Sequence, residues 1–244
     1  MDKNYTSISD IMNPGTLYHY CSFEDFSRII REGKLRLYNV SETNDSSEIN
    51  YLIDTYVSKL KSIGYIDFAN FEENSFCEQR KYTFNLAASF FDSKDNAQLP
   101  GENGSFSVGF DKSKLEKWGN KIKGGNGRVF ISNEDTGAFR QVCFFNTTEI
   151  NEFVDSIIDN YMYEFKDALA IFSILLNERQ FIKNGDRKRN REWVLSVMCD
   201  SRYSALSNIS ADTFGDTSFR VTEENNTKVC DISFDKSMIT SITS

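Results

Sequence analysis

Histidine occurs once in this 244-residue chain, and proline and tryptophan twice each. One histidine excludes a His-rich metal site, and the chain contains neither HExxH nor GxSxG. Two prolines leave little rigid linker. No apolar run approaches the roughly 20 residues that a membrane span needs. The first ten residues, MDKNYTSISD, lack the charged-then-apolar pattern of a signal peptide. Five cysteines (Cys21, Cys77, Cys143, Cys199, Cys230) are odd in number and scattered, with no CxxC pair, so a disulfide scaffold and a cysteine zinc site are disfavoured. The net charge of −8 argues against a protein whose main task is gripping nucleic acid. These absences together lead us to expect a soluble cytoplasmic protein with no metal and no membrane partner.

What is abundant is phenylalanine, at 21 residues, within an aromatic content of 14%. Such a chain can bury a large core through sheet and helix–sheet contacts. Thr16 to Cys21 reads as a strand, with Leu17, His19 and Cys21 on one face and Tyr18 and Tyr20 on the other. Ser22 then caps a helix that Gly33 ends, and Leu35 to Tyr38 is a second strand. Asn44 or Asp45 caps the next helix, which runs to Gly64. Residues 65 to 80 are acidic and irregular and read as loop. Tyr82 to Phe91 is nearly continuous in apolar character, as expected for a central strand covered on both faces. A long polar loop over 92–104 leads to a strand at Ser105 to Phe110 and a short helix around Lys114 to Lys121. Strands are expected at Arg128 to Ser132 and Phe139 to Phe145. Helices follow at Ile150 to Tyr161 and Asp167 to Ile182, pairing as a hairpin packed on the sheet. Arg191 to Cys199 is a strand with Trp193, Leu195 and Val197 inward, and 201–218 a polar loop. Phe219 to Val221, Lys228 to Phe234 and Met238 to Ile242 close the fold, with a hairpin around Glu224-Asn225-Asn226. Strands and helices do not alternate regularly. The expectation is therefore a single domain over 1–244 (core 16–243) of α+β class, a mainly antiparallel sheet with an inserted helical hairpin.

Chemistry could sit in four places. His19 is suited to acid, base or hydrogen-bonding work near neutral pH, or is a buried imidazole satisfied by a backbone carbonyl, or one exposed at a strand edge. Asn44, Asp45 and Glu48 gather at a helix N-terminus, where they either hold a ribose or phosphate or simply cap the helix. Glu192 opens a strand beside Trp193. A carboxylate there can stabilise a cationic sugar transition state, or be a solvated edge residue. Arg179, Lys183, Arg187, Lys188, Arg189 and Arg191 form a basic run in an acidic chain. It either receives a nucleotide, a nucleic-acid backbone or an acidic partner, or is a solvated loop. The glycine run at Lys123–Gly127 lacks a GK[ST] ending and reads as a turn. Cys21 or another thiol near His19 would suffice for thiol catalysis, though no local signature supports it.

LYHY at Leu17–Tyr20, the helix ending in EGKL, and TNDSSE at 43–48 resemble a bacterial family of unknown function. Its signature is a Leu-Tyr-Lys/His-Tyr strand followed by Asn-Asp-Pro-aromatic-Glu; Ser46 and Ser47 replace the last proline and aromatic here. Ser89 in AASFFDSKDN matches that family's Cys-hydrophobic-Ser block. Lys183 with Glu192 and Trp193 matches a late Lys…Glu-Trp block. The family is distantly similar to ADP-ribosyltransferases with a His-Tyr-Glu triad. That resemblance implies an ADP-ribosyltransferase-like split sheet and an NAD-using ADP-ribosyltransferase or NAD glycohydrolase, of the kind found among bacterial toxins and phage-defence effectors. It implies that His19 holds a ribose hydroxyl, that Glu192 stabilises the oxocarbenium-like centre, and that Phe90 or Phe91 stacks on nicotinamide. The remaining cofactor-binding candidates are Tyr20, Asn44, Asp45, Glu48, Ser89, Lys183 and Arg191. NAD is the implied substrate, with a macromolecular target or partner protein as a further partner. The alternative is a non-catalytic module binding a nucleotide or a partner in the same cleft.

Overall fold

The computed structural model describes residues 15–40, 46–92, 106–119, 139–161, 168–179, 181–185, 191–200 and 221–243. Expectations for 1–14, the loops at 92–104 (beyond Asp92) and 201–218, the Arg128–Ser132 strand, the first two residues of the Phe219–Val221 strand, and Asn44 and Asp45 lie outside these residues.

The chain opens with β1 (Thr16–Cys21), α1 (Phe23–Glu32) and β2 (Lys34–Asn39). Local chemistry sets this unit. The Ser22 hydroxyl accepts from the Asp25 amide to start α1, and Gly33, at φ 65°, ends it in the left-handed conformation. Next come α2 (Ser46–Ser62), α3 (Ile66–Arg80) and β3 (Thr83–Phe91), then β4 (Phe106–Asp111) and α4 (Lys112–Gly119). After these are β5 (Phe139–Gln141), β6 (Cys143–Phe145), α5 (Thr147–Tyr161), α6 (Ala168–Glu178) and β7 (Ile182–Asn184). The chain closes with β8 (Glu192–Asp200), β9 (Val221–Glu224), β10 (Thr227–Ser233) and β11 (Ile239–Thr243). The β9–β10 turn is Asn225-Asn226, with φ of 52° and 64°, the left-handed pair that a two-residue hairpin requires.

Every pairing in the large sheet is antiparallel, along the path β11-β4-β1-β3-β2-β10-β9, with β8 and β5 attached beyond β3. The class is α+β, as expected. Its centre is β3. Strand β8 pairs with β3 along its whole length, from Thr83↔Asp200 to Phe91↔Glu192. Strands β1 and β2 must therefore share the other edge. They meet it at separate places, β1 at Phe91 and β2 at Leu86 and Ala87. Between these attachments, Ala88, Ser89 and Phe90 face a split in the sheet.

One face of the sheet carries the main core: Leu17, Leu37, Phe84, Leu86, Phe90, Val108, Phe110, Trp193 and Leu195, among others, closed by Phe234 and Met238. The opposite face carries a smaller cluster of Ala87, Val142, Phe181 and Val194. As expected, β3 is covered on both sides. The four longer helices build a separate core from Leu52, Tyr56, Leu60, Phe76, Ile150, Val154 and Leu175.

Three expectations are corrected. Residues 66–80 are helix, not loop: Ala69, Glu72 and Phe76 share its buried face, and a carboxylate at the middle position hides the periodicity. Phe139–Phe145 is two strands, because β5 joins β8 while β6 leaves to pair in parallel with β7. Helices α5 and α6 pack mainly on α2 and α3 rather than on the large sheet. Among the described residues, no helix is long and apolar enough to cross a membrane.

Candidate active site at the split in the sheet

Ser89 lies at the split, and both expected catalytic residues contact it. The Nδ1 of His19 lies 2.9 Å from the Ser89 carbonyl oxygen. A carbonyl can only accept, so Nδ1 carries the proton. The imidazole is 9% exposed, and burial pushes its pKa down against the opposing pull of that hydrogen bond and of Asp25. The ring is thus neutral at pH 7, with Nε2 as its acceptor nitrogen. The bond to Ser89 occupies a carbonyl that continuous strand pairing would otherwise have taken.

From the other side of β3, the Ser89 hydroxyl donates to Glu192 Oε1 at 2.7 Å. Alternation places Ser89, Phe91 and Glu192 on the sheet face opposite Phe90 and Trp193. Lys183, brought in by β7, places Nζ 3.1 Å from Oε1 and 3.0 Å from Oε2. Glu192 is only 7% exposed, and its backbone carbonyl accepts from the Val142 amide at 2.8 Å. It is therefore not a solvated edge residue. The carboxylate has one neutral and one cationic donor, the usual requirement for a buried charge.

The other candidates divide. Tyr20 meets Phe91 edge-on, at 5.9 Å between ring centroids, forming an aromatic pair at the Ser89–Glu192 end of the strands. Phe90 is fully buried among His19, Phe110 and Phe139, so it backs the imidazole and has no free face for a ligand. Glu48 lies in the first turn of α2. Arg191 is half-buried immediately before β8 and acts electrostatically on Asp92. The basic run is not one surface: Arg179 is buried, Lys183 pairs with Glu192, and Arg187, Lys188 and Arg189 lie outside the described residues.

Motif reasoning did not anticipate Asp25. It is buried and accepts from Tyr38 Oη at 2.6 Å and Arg28 Nη1 at 2.5 Å, and its charge reaches both His19 and Cys21. Its acidic first-turn position was legible, but the Tyr38 and Arg28 contacts that bury it were not. Burial, with help from Asp25, pushes the Cys21 thiol up to about 12, which disfavours a thiolate nucleophile. Among the described residues, no cluster of three or more His, Cys, Asp or Glu side chains suits a metal ion.

Compared with family models, curated proteins and solved structures, the chain finds no match in any of the three. The family resemblance therefore rests on the quoted motifs alone.

Proposed function

We propose that the split at Ser89 binds NAD and that the protein is an ADP-ribosyltransferase or NAD glycohydrolase. One observation carries the reading: a single residue, Ser89, contacts both His19 and Glu192, two residues far apart in sequence and separately implicated by their motifs. In this reading the imidazole, held neutral with its proton on Nδ1, accepts a hydrogen bond from a ribose hydroxyl at Nε2. The N-glycosidic bond breaks with its electron pair leaving on nicotinamide. Glu192 stabilises the cationic C1′ that develops. Water or a nucleophile on a macromolecule then adds to C1′ and loses a proton. Tyr20 and Phe91 supply the aromatic surface. In this reading the ADP-ribosyltransferase-like split sheet provides the cleft.

A second reading, binding without turnover, is favoured by the two contacts from Lys183, which neutralise Glu192. Isothermal titration with NAD, paired with an assay of nicotinamide release, separates the two. The enzymatic reading expects binding and release by the natural protein, and binding with at least hundredfold slower release by Glu192→Gln. Binding without release supports the second reading, and no binding removes both.

A further inference from the structure

Arg179 follows the last turn of α6 and is 3% exposed, and its Nε has no hydrogen-bond partner. A buried guanidinium ordinarily has a carboxylate beside it. Its neighbour Glu178 is instead committed to Arg140, through contacts of 2.7 and 2.9 Å. Among the described residues, the charge acting on Arg179 is a second cation, Arg80.

Helix packing explains why the two cations converge. Phe76 of α3 stacks on Phe172 of α6 at 4.5 Å between centroids. Arg80 is four residues beyond Phe76, and Arg179 seven beyond Phe172, so each arginine continues the stripe that its helix presents to the other. Arg80 is exposed and Arg179 is buried. Asp54 senses Arg80 electrostatically, but no ion pair joins them among the described residues. Two residues past Arg179, Phe181 packs with Ala87 of β3. Two residues before Ala87, on the same sheet face, Asn85 is buried with both amide atoms unpartnered.

We propose that Arg179 and Arg80, at the C-terminal ends of α6 and α3, form a binding site for a phosphate-bearing anion. Burial has already stripped most water from one guanidinium, and the two cations repel until an anion sits between them. Planar guanidinium groups match phosphate oxygens in pairs. Asn85 supplies a neutral donor in the same layer. The site does not involve Ser89 or Glu192, and its failure would leave the NAD reading untouched.

The test titrates the full-length protein with inorganic phosphate and pyrophosphate at constant ionic strength, with chloride as control. Thermal unfolding and calorimetry are the readouts. The proposal expects saturable stabilisation by phosphate or pyrophosphate, weakened at least tenfold in Arg80→Gln, an exposed position where folding is retained. Arg179→Lys keeps the charge but loses the planar fork, and should bind equally poorly. Absence of saturable stabilisation overturns the proposal. So does an unchanged affinity in folded Arg80→Gln, which would place the anion elsewhere.

Discussion

Replacing Lys183 with methionine leaves the Glu192 carboxylate, 7% exposed, with the Ser89 hydroxyl as its remaining side-chain donor among the contacts described above. Breaking a buried ion pair by removing one partner costs about 3–5 kcal/mol, whereas an exposed pair is worth about 0–1 kcal/mol. The Lys183 side chain is 21% exposed, which places the pair near the lower end of the buried range, at about 3 kcal/mol. For a chain of this size that corresponds to a fall in Tm of roughly 6–12 °C. Glu192→Gln retains an acceptor for Ser89, so the Lys183→Met/Glu192→Gln double variant should recover about 2 kcal/mol relative to Lys183→Met. Urea unfolding of the four proteins gives the coupling energy directly, provided the m-values agree. A loss below about 1 kcal/mol in Lys183→Met, or zero coupling, would refute the claim that Glu192 is held as a buried, compensated charge.

Three further outcomes follow from the packing. The folded pKa of His19 lies below its ordinary value of 6.5, so its stabilising contribution should be present above pH 6.5 and decline as the pH falls below it. His19→Gln should flatten that part of the stability curve measured by urea unfolding. Burial raises Glu72 from 4.5 to about 7, so its contribution has the opposite sense, falling as the pH rises from 4.5 to about 7. Glu72→Gln should stabilise the protein by about 2 kcal/mol at pH 8, after allowance for solvent screening, and by almost nothing at pH 4; equal effects at both would contradict the assignment. A Cβ on Gly119 would meet Phe139 Cβ at 2.5 Å, so Gly119→Ala should cost about 1–3 kcal/mol in a thermal melt.

Local chemistry made parts of the fold legible. Ser22 and Gly33 bracket α1, and Asn225-Asn226 marks the β9–β10 turn, because each acts through its own backbone. Helix α3 was hidden because burial, which is a tertiary fact, places Glu72 where the pattern asks for an apolar residue. The division between β5 and β6 was hidden too, since the strands choose partners, β8 and β7, that come much later in the chain. At the candidate site, motifs singled out His19, Ser89, Lys183 and Glu192. What they could not supply was how those residues connect: a carbonyl exposed by a split in pairing, and a hydroxyl reaching the opposite face. Phe90 shows the limit of residue type as a guide. An aromatic suited to stacking lies in the core because alternation along β3 turns it that way.

Proton NMR of NAD incubated with the protein, alone and with candidate acceptor macromolecules, tests the central claim most directly. The account predicts that the nicotinamide-ribose H1′ signal decays while free nicotinamide accumulates, and that Glu192→Gln leaves the spectrum unchanged over the same period. NAD left intact by the natural protein in every mixture, or consumed equally fast by the folded Glu192→Gln variant, would contradict it.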